Sequence, residues 1–394
     1  MIYTDFKGKQ LSLLGFGAMR MPLPAEGTVD EAQVPEMLRR ALDAGMNYID
    51  TAWPYHDGES ENVLGRVLKH FPRESYYLAD KYPGHQVSSS YDPAAIFEKQ
   101  LEKCGVDYFD FYLLHNLNES SVAVYTDPKW GIIDYFKEQK RLGRIKHLGF
   151  SCHCSPDTLT AFLDAYGDAM EFCQIQLNWL DWTLQDAKAK YELLTGRGVP
   201  VWVMEPVRGG KLVNLPEQDR EDLSALHPDW SVPSWCFRFL QGLPGVQMIL
   251  SGMSNMEQIE DNLNTFAVRA PLNEAETDTL LDIAEGLKKS VPCTACRYCV
   301  AGCPMGLDIP GLISIYNDMR FAVSANHAIR MEGIPAEKWP SACIACGKCT
   351  KSCPQSIDIP AVMKAFAAEA VKLPSWAEIC RKREEAERAK AAAE

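Results

Sequence analysis

Residues 46–56 read Met46-Asn47-Tyr48-Ile49-Asp50-Thr51-Ala52-Trp53-Pro54-Tyr55-His56. The run from Met46 to Ile49 has the apolar character of a short strand. It delivers Asp50 to its carboxyl end, with Tyr55 beyond a Pro54 turn. A carboxylate and a phenol so placed suit acid–base work on a carbonyl, although the pair alone decides little, since both residues are common on loops. Two later runs repeat the pattern: Tyr76–Asp80 ends at Lys81, and Phe109–Leu114 ends at His115, with helix-like segments between consecutive runs. Apolar runs that alternate with helices and finish on ionisable side chains predict an α/β fold, a (β/α)₈ TIM barrel. In that fold chemistry gathers at the carboxyl ends of the strands.

The residues carry a resemblance as well. Asp50-Thr51-Ala52 with Tyr55, Gly58-Glu59-Ser60-Glu61-Asn62-Val63-Leu64-Gly65, Lys81 and Leu113-Leu114-His115-Asn116 together resemble the aldo/keto reductase family, over roughly residues 10 to 270. The resemblance implies a catalytic tetrad of Asp50, Tyr55, Lys81 and His115. An ordinary phenol, with a pKa of about 10, is a weak acid at neutral pH. Lys81 is expected to draw Tyr55 down toward the working range, with Asp50 holding Lys81 charged and His115 orienting the carbonyl oxygen. His56, where the family usually has glycine, is a further candidate for the same pocket; Trp53 either lines it or packs. His147 and His153 read as core histidines.

The resemblance also implies a dinucleotide site. The last barrel strand runs into Ser251-Gly252-Met253-Ser254-Asn255-Met256-Glu257-Gln258, and a Ser/Asn-rich turn opening a helix is a natural seat for phosphate. Ser254, Asn255, Gln258, Asp261 and Asn262 fall at the family's adenosine end, and Ser151 and Gln174 at its carboxamide contacts; Asn255 alone also reads as a simple helix cap. Three positions depart from the family. Gln258 replaces an Arg common in NADPH-preferring members, Met204 replaces a stacking aromatic ring, and Cys152 replaces an Asn. NAD(P)(H) is the expected cofactor, with NADP selectivity weakened for want of a cation at 258.

With 394 residues, a barrel of roughly 250 leaves a second unit of about 100 residues. The formal charge of −13 argues against nucleic acid and anionic membrane surfaces as partners. No apolar run approaches a membrane span, and the N-terminus lacks a signal peptide's order, so a cytoplasmic protein is expected. Its 14 cysteines should then not form a disulfide framework.

Along the chain, a first strand is expected over Leu11–Met19 and helices from Val29, Glu59, Pro93, Trp130 and Pro156. Strands follow at Ile145–Ser151, Phe172–Asn178, Val199–Met204 and Val246–Leu250. Helices are expected near Gln185–Thr195, Pro233–Leu240 and Glu257–Thr265, and one at Glu274–Lys289 closes the first domain at about 288. The connection from Glu205 to about Ser231 is too long for a barrel turn and reads as a flap over the site.

The cysteines cluster beyond that boundary. Cys293, Cys296, Cys299 and Cys303 precede Pro304, and Cys343, Cys346, Cys349 and Cys353 precede Pro354; Leu307-Asp308-Ile309-Pro310 is answered by Ile357-Asp358-Ile359-Pro360. Both runs fit C-x₂-C-x₂-C-x₃-C-P, the bacterial ferredoxin spacing for 4Fe–4S clusters, in which the fourth cysteine ligates the other cluster. Cys293, Cys296, Cys299 and Cys353 are thus expected on one cluster, and Cys343, Cys346, Cys349 and Cys303 on the second. Structural zinc sites take four ligands in separated pairs, which suits eight cysteines with these prolines less well. A helical insert over Gly311–Pro340 makes this a smaller, mainly helical ferredoxin-type domain over 289–375. A solvated, charged helix is expected over 376–394.

These features predict an oxidoreductase acting on a small carbonyl-type substrate, with a ferredoxin or another redox protein as partner. Nicotinamide moves two electrons as hydride, whereas each cluster moves one. Either the clusters are structural or feed a partner, or they supply an unusual reduction directly, or the barrel is idle in an electron-transfer subunit. The complete tetrad speaks against the last. No linear flavin motif is present, although a barrel can seat a flavin without one.

Overall fold

Eight parallel strands close into a barrel, each hydrogen-bonded to its neighbours in chain order. The computed structural model describes residues 1–23, 28–86, 88–287, 291, 293, 297–321, 323–353 and 357–391. An antiparallel hairpin, β1 (Tyr3–Phe6) and β2 (Lys9–Ser12), precedes the barrel strands. These are β3 (Leu14–Gly17), β4 (Tyr48–Asp50), β5 (Tyr77–Tyr82), β6 (Phe109–Leu117), β7 (Ile145–Cys152), β8 (Cys173–Gln176), β9 (Val201–Met204) and β10 (Val246–Ser251). Parallel strands flanked by helices are buried on both faces, hence their near-continuous apolar sequence. In β6 every residue but His115 is buried.

The expected first strand, Leu11–Met19, is in fact broken. Ser12 Oγ donates to Leu14 O at 2.7 Å and accepts from Asn47 N at 2.9 Å, while Ser12 N donates to Asn47 Oδ1 at 2.8 Å. These bonds satisfy a corner, so Leu11 belongs to the hairpin and Leu14 to the barrel. The hairpin plugs the amino end: the Phe6 ring stands 5.1 Å from Trp202 and 5.6 Å from Phe111, centroid to centroid.

The helices start where local chemistry allows. Pro93–Cys104 has Asp92 accepting from Ala95 N at 3.0 Å, proline in its first turn and Gly105 at φ 64 after it. The helix expected from Val29 begins only at Val34, because Asp30 holds the preceding turn through Ala32 N and Gln33 N. Gly65 lets the Ser60–Leu68 helix meet the next one, since a Cβ there would stand 2.2 Å from Lys103 O.

The connection from Glu205 to Ser231, expected as a flap over the site, carries secondary structure of its own. It holds a 3₁₀ segment, Arg208–Val213, and a helix, Glu217–Leu226. Arg208 is buried and ion-paired with Asp181 and with Asp318. Asp318 lies on a helix, Ile309–Phe321, within the expected helical insert, which also contains Ala325–Glu332. This cysteine-bearing region has its own apolar cluster, including Leu307, Ile313, Met363 and Phe366, separate from that of the barrel.

The last helix, Trp376–Ala391, differs from the solvated tail expected. Trp376 and Cys380, one turn apart, are buried and pack with Ile329, while Arg381 and Glu385 further on face solvent. Among the described residues no helix is long and apolar enough to cross a membrane.

Candidate active site

Asp50, Lys81 and His115, on barrel strands, and Tyr55, on the turn after β4, come together at the carboxyl mouth of the barrel. Register places Asp50 on β4 beside Ala79, two residues before Lys81 on β5. Lys81, fully buried, donates from Nζ to Asp50 Oδ1 at 2.5 Å, to Thr51 O at 2.7 Å and to the Tyr55 hydroxyl at 3.3 Å. His115 occupies an irregularity of β6, where the pairing with β7 shifts between Leu114 and Leu117 and Asn116 adopts φ 56. Such bulges re-aim side chains, and the His115 ring meets Tyr55 edge-on at 5.9 Å. Tyr125 fixes this corner, donating to His115 O at 2.5 Å and lying 3.1 Å from Tyr82 O.

The electrostatics differ from the sequence expectation in one respect. Burial raises the Tyr55 pKa above the ordinary phenol value; Lys81 opposes this but does not reverse it, and Asp50 and Glu205 add to the rise. The phenol is therefore kept protonated rather than drawn toward neutrality. Burial likewise raises the Asp50 carboxyl, against the pull of Lys81. Burial works against the Lys81 ammonium, but Asp50 and Tyr55 outweigh it and hold its pKa above that of ordinary lysine.

His56 Nε2 lies 3.0 Å from Ala18 O, and Trp53 packs beneath the Lys103 ammonium at 4.5 Å. His147 pairs with Glu171 at the amino end of the barrel, 3.0 Å away. His153 is pushed down to about 4 by burial and the neighbouring Lys190 charge.

At the expected dinucleotide positions, Asn255 caps the Met256–Thr265 helix by accepting from Gln258 N at 2.9 Å. Gln258 Oε1 accepts from Ser254 N at 2.7 Å, and Ser254 Oγ donates to Arg20 O at 2.9 Å. Asp261 accepts from Ser231 Oγ at 2.7 Å, and Asn262 donates to Ser251 Oγ at 2.9 Å. Ser151 Oγ accepts from Asn116 N at 2.8 Å. Gln174 is the open position: its Oε1 is buried with no hydrogen-bond partner among the described residues, while Nε2 lies 3.6 Å from Met204 Sδ. A buried acceptor at this place fits the amide N–H of a nicotinamide carboxamide.

In the cysteine region, Cys303, Cys343, Cys346 and Cys349 line one small pocket with Met305, Ile309 and Met363. Three sulfurs come from the second run and one from the first, which is the crossed set, in an apolar setting that suits a cluster. Cys293, Cys299 and Cys353 flank the same apolar cluster, and Cys296 lies outside the described residues.

Two residues at the mouth have no weight in the sequence. His85, past the end of β5, brings its ring within 4.4 Å of His115. Glu205, right after β9, is held at φ 58, and burial raises its carboxyl pKa. A histidine four residues after Lys81 was the one available signal for the first.

A family model described as the aldo/keto reductase family matches residues 13–285, and one described as a 4Fe-4S dicluster domain matches residues 292–357. The chain is similar to the NADH-specific methylglyoxal reductase of Escherichia coli (strain K12), at 24% identity over 306 residues, covering 67% of this chain and 91% of that one. Among solved structures it is similar to an aldo-keto reductase from Bacillus halodurans in its holo form, with a TM-score of 0.57, 26% identity, and coverage of 70% and 93%. An aldo/keto reductase from Klebsiella pneumoniae, in complex with NADP and acetate, has a TM-score of 0.57 at 20% identity, with coverage of 71% and 93%, a likeness of fold alone.

Proposed function

The chain belongs to the aldo/keto reductase family, with a 4Fe–4S dicluster domain after its barrel, and from that premise we propose that it reduces the carbonyl of a small molecule by hydride from a nicotinamide cofactor. Tyr55 is the proton donor, and the clusters exchange electrons with a separate redox protein. The observation that carries this reading is Lys81 Nζ, closed to solvent, bonded to Asp50 and 3.3 Å from the Tyr55 hydroxyl. A raised phenol pKa keeps the proton on Tyr55 until an alkoxide develops beside it, when transfer becomes favourable. Lys81 then stabilises the phenolate left behind, and Asp50 keeps that ammonium charged and aimed. His115 orients the carbonyl oxygen.

Bound nicotinamide supplies two electrons as hydride, and Gln174 Oε1 is the acceptor that would hold its carboxamide. Ser151, Ser254, Asn255, Gln258, Asp261 and Asn262 complete the proposed cofactor contacts. Assembled clusters supply one-electron steps, ligated by Cys293, Cys296, Cys299 and Cys353 and by Cys343, Cys346, Cys349 and Cys303. In this reading residues 1–288 perform the reduction and 289–375 exchange electrons. A reducing, cytoplasmic setting suits Cys104, Cys152, Cys154, Cys173, Cys236 and Cys380 as buried cysteines outside any disulfide.

The test uses the protein purified without oxygen. The name of the Escherichia coli relative makes methylglyoxal the first substrate to try. NADH with methylglyoxal, and with a broader carbonyl and enone panel, should give turnover, and the visible cluster absorbance should bleach with reduced ferredoxin or a viologen dye. Turnover with reduced viologen but none with NADH or NADPH would replace this reading by a cluster-fed reductase. Turnover with neither would leave the barrel idle.

A further inference from the structure

The helical region beyond the barrel lies across the carboxyl ends of five consecutive strands. After β5, Trp376 Nε1 donates to His85 O at 2.9 Å. After β6, Gly333 abuts Glu119. After β7, Asn326 Nδ2 lies 3.4 Å from His153 Nδ1. After β8, Gln185 donates to Asp318 at 2.6 Å, and after β9 Arg208 pairs with the same carboxylate.

The first of these contacts reaches the proposed site. From Tyr55 a file of aromatic rings leads to the C-terminal helix: Tyr55 to His115 at 5.9 Å, His115 to His85 at 4.4 Å, and His85 to Trp376 at 5.7 Å with planes 28° apart. Trp376 is itself fixed. Only 6% exposed, it packs with Ile329 and Cys380, and its backbone N donates to Glu332 Oε1 at 2.6 Å. His85 is 7% exposed beneath it. An imidazole ring turns about its terminal torsion unless its neighbours stop it. Here Tyr125 holds the backbone of His115, while His85, braced by Trp376, backs its ring.

We infer that Trp376 is a positioning residue for the reduction: it seats His85, and through His85 it sets the angle at which His115 meets a carbonyl oxygen beside Tyr55. The inference rests on the roles given above to His115 and Tyr55. It makes the site complete only when the segment after the dicluster domain is docked, so formation of that domain and activity of the barrel are linked through one indole.

The experiment compares Trp376→Ala and Trp376→Phe in the full chain with its clusters assembled. Trp376→Ala should lower kcat/KM for the carbonyl by about ten- to a hundredfold, the scale of a misplaced reacting group, and should alter the pH profile. Dinucleotide affinity and cluster absorbance should stay at wild-type values. Trp376→Phe, which keeps the stacked ring but not the N–H, should recover most of the loss. In parallel, carbethoxylation of His85 and His115 by diethyl pyrocarbonate, followed by peptide mass spectrometry, needs no substrate. Both histidines should react slowly in the wild type, faster in Trp376→Ala, and slowly again in Trp376→Phe. Unchanged labelling overturns the inference, as does full activity in Trp376→Ala or a loss of clusters and dinucleotide binding in step with activity. If the wild type reduces no carbonyl, the proposed function falls, and the labelling alone decides whether Trp376 seats the histidines.

Discussion

Lys81 Nζ stands 2.5 Å from Asp50 Oδ1, with both side chains closed to solvent. That pair leaves the Tyr55 phenol as the proton-bearing group, with a pKa that burial lifts above the ordinary value of 10.0. An acid must be protonated to act, so kcat/KM for reduction should hold through pH 8 to 9 and fall only above about pH 10. Tyr55→Phe should remove at least about a hundredfold of the rate, since general acids contribute 10²–10⁴-fold, with dinucleotide binding near normal. A rate that falls off already between pH 7 and 8, or a Phe variant retaining more than about a tenth of the activity, would show that Tyr55 is not the donor.

Asp50, Lys81 and His115 stand out in the sequence because each lies at or near the end of a buried strand, with Tyr55 on the turn after β4, and a buried parallel strand is a short apolar run that announces its own end. The 4Fe–4S dicluster domain is legible because the spacing of its cysteines is local. The roof over the mouth is not. Trp376 and His85 are 291 positions apart, and Arg208 and Asp318 are 110 apart. No periodicity joins such residues, and in sequence Arg208 reads as a candidate charge for a cofactor phosphate, not as a partner of Asp318. The tail misled for a related reason: Trp376 and Cys380 form a single short stripe on a helix otherwise dominated by Arg, Lys and Glu. Even the Tyr55 pKa had the right neighbours, but burial, which the sequence does not print, outweighed Lys81.

Asp318 is the hub between the barrel and the cysteine region, taking Arg208, His327 at 2.7 Å, Arg330 at 3.0 Å and Gln185 at 2.6 Å. Removing one partner of a buried ion pair costs about 3–5 kcal/mol. Because Arg208 keeps Asp181, Asp318→Asn should fall near the lower end, about 3 kcal/mol, measured by denaturant unfolding. Burial works against the Asp318 charge, but His327, Arg208 and Arg330 outweigh it and hold the carboxyl well below its usual range. With the folded pKa below the unfolded one, this stabilisation is full above about pH 4 and is lost as pH falls toward the folded pKa. The variant should therefore show a shallower acid decline in thermal midpoint than the wild type. Equal slopes would remove Asp318 from the pH response.

Dinucleotide selectivity should be weak or favour NAD. Gln258 brings an amide where a 2′-phosphate would want a cation, and its oxygen already accepts from Ser254 N at 2.7 Å. Of Arg208 and Lys211, the candidate suppliers of charge in the β9 connection, Arg208 is committed to Asp181 and Asp318. Gln258→Arg should tighten NADPH relative to NADH by about tenfold, equivalent to ~1.4 kcal/mol. A wild-type dissociation constant a hundredfold tighter for NADPH would refute the argument.

The last prediction concerns which sulfurs share a cluster. Cys303 lines the same small pocket as Cys343, Cys346 and Cys349, although it stands 40 positions from Cys343. If the first run lends its fourth cysteine to the second run's site, as two-cluster ferredoxins do, then by symmetry Cys353 should serve the first. Serine in place of a ligating thiolate changes the electronic environment of its own cluster most. If the two reduced clusters give separable paramagnetic resonance signals, Cys303→Ser and Cys346→Ser should disturb the same signal, and Cys353→Ser and Cys293→Ser the other. The grouping is informative even if each variant loses some iron, because it compares which signal changes rather than how much. Cys303→Ser grouping with Cys293→Ser would mean that each run closes its own cluster, and the crossed assignment would be wrong.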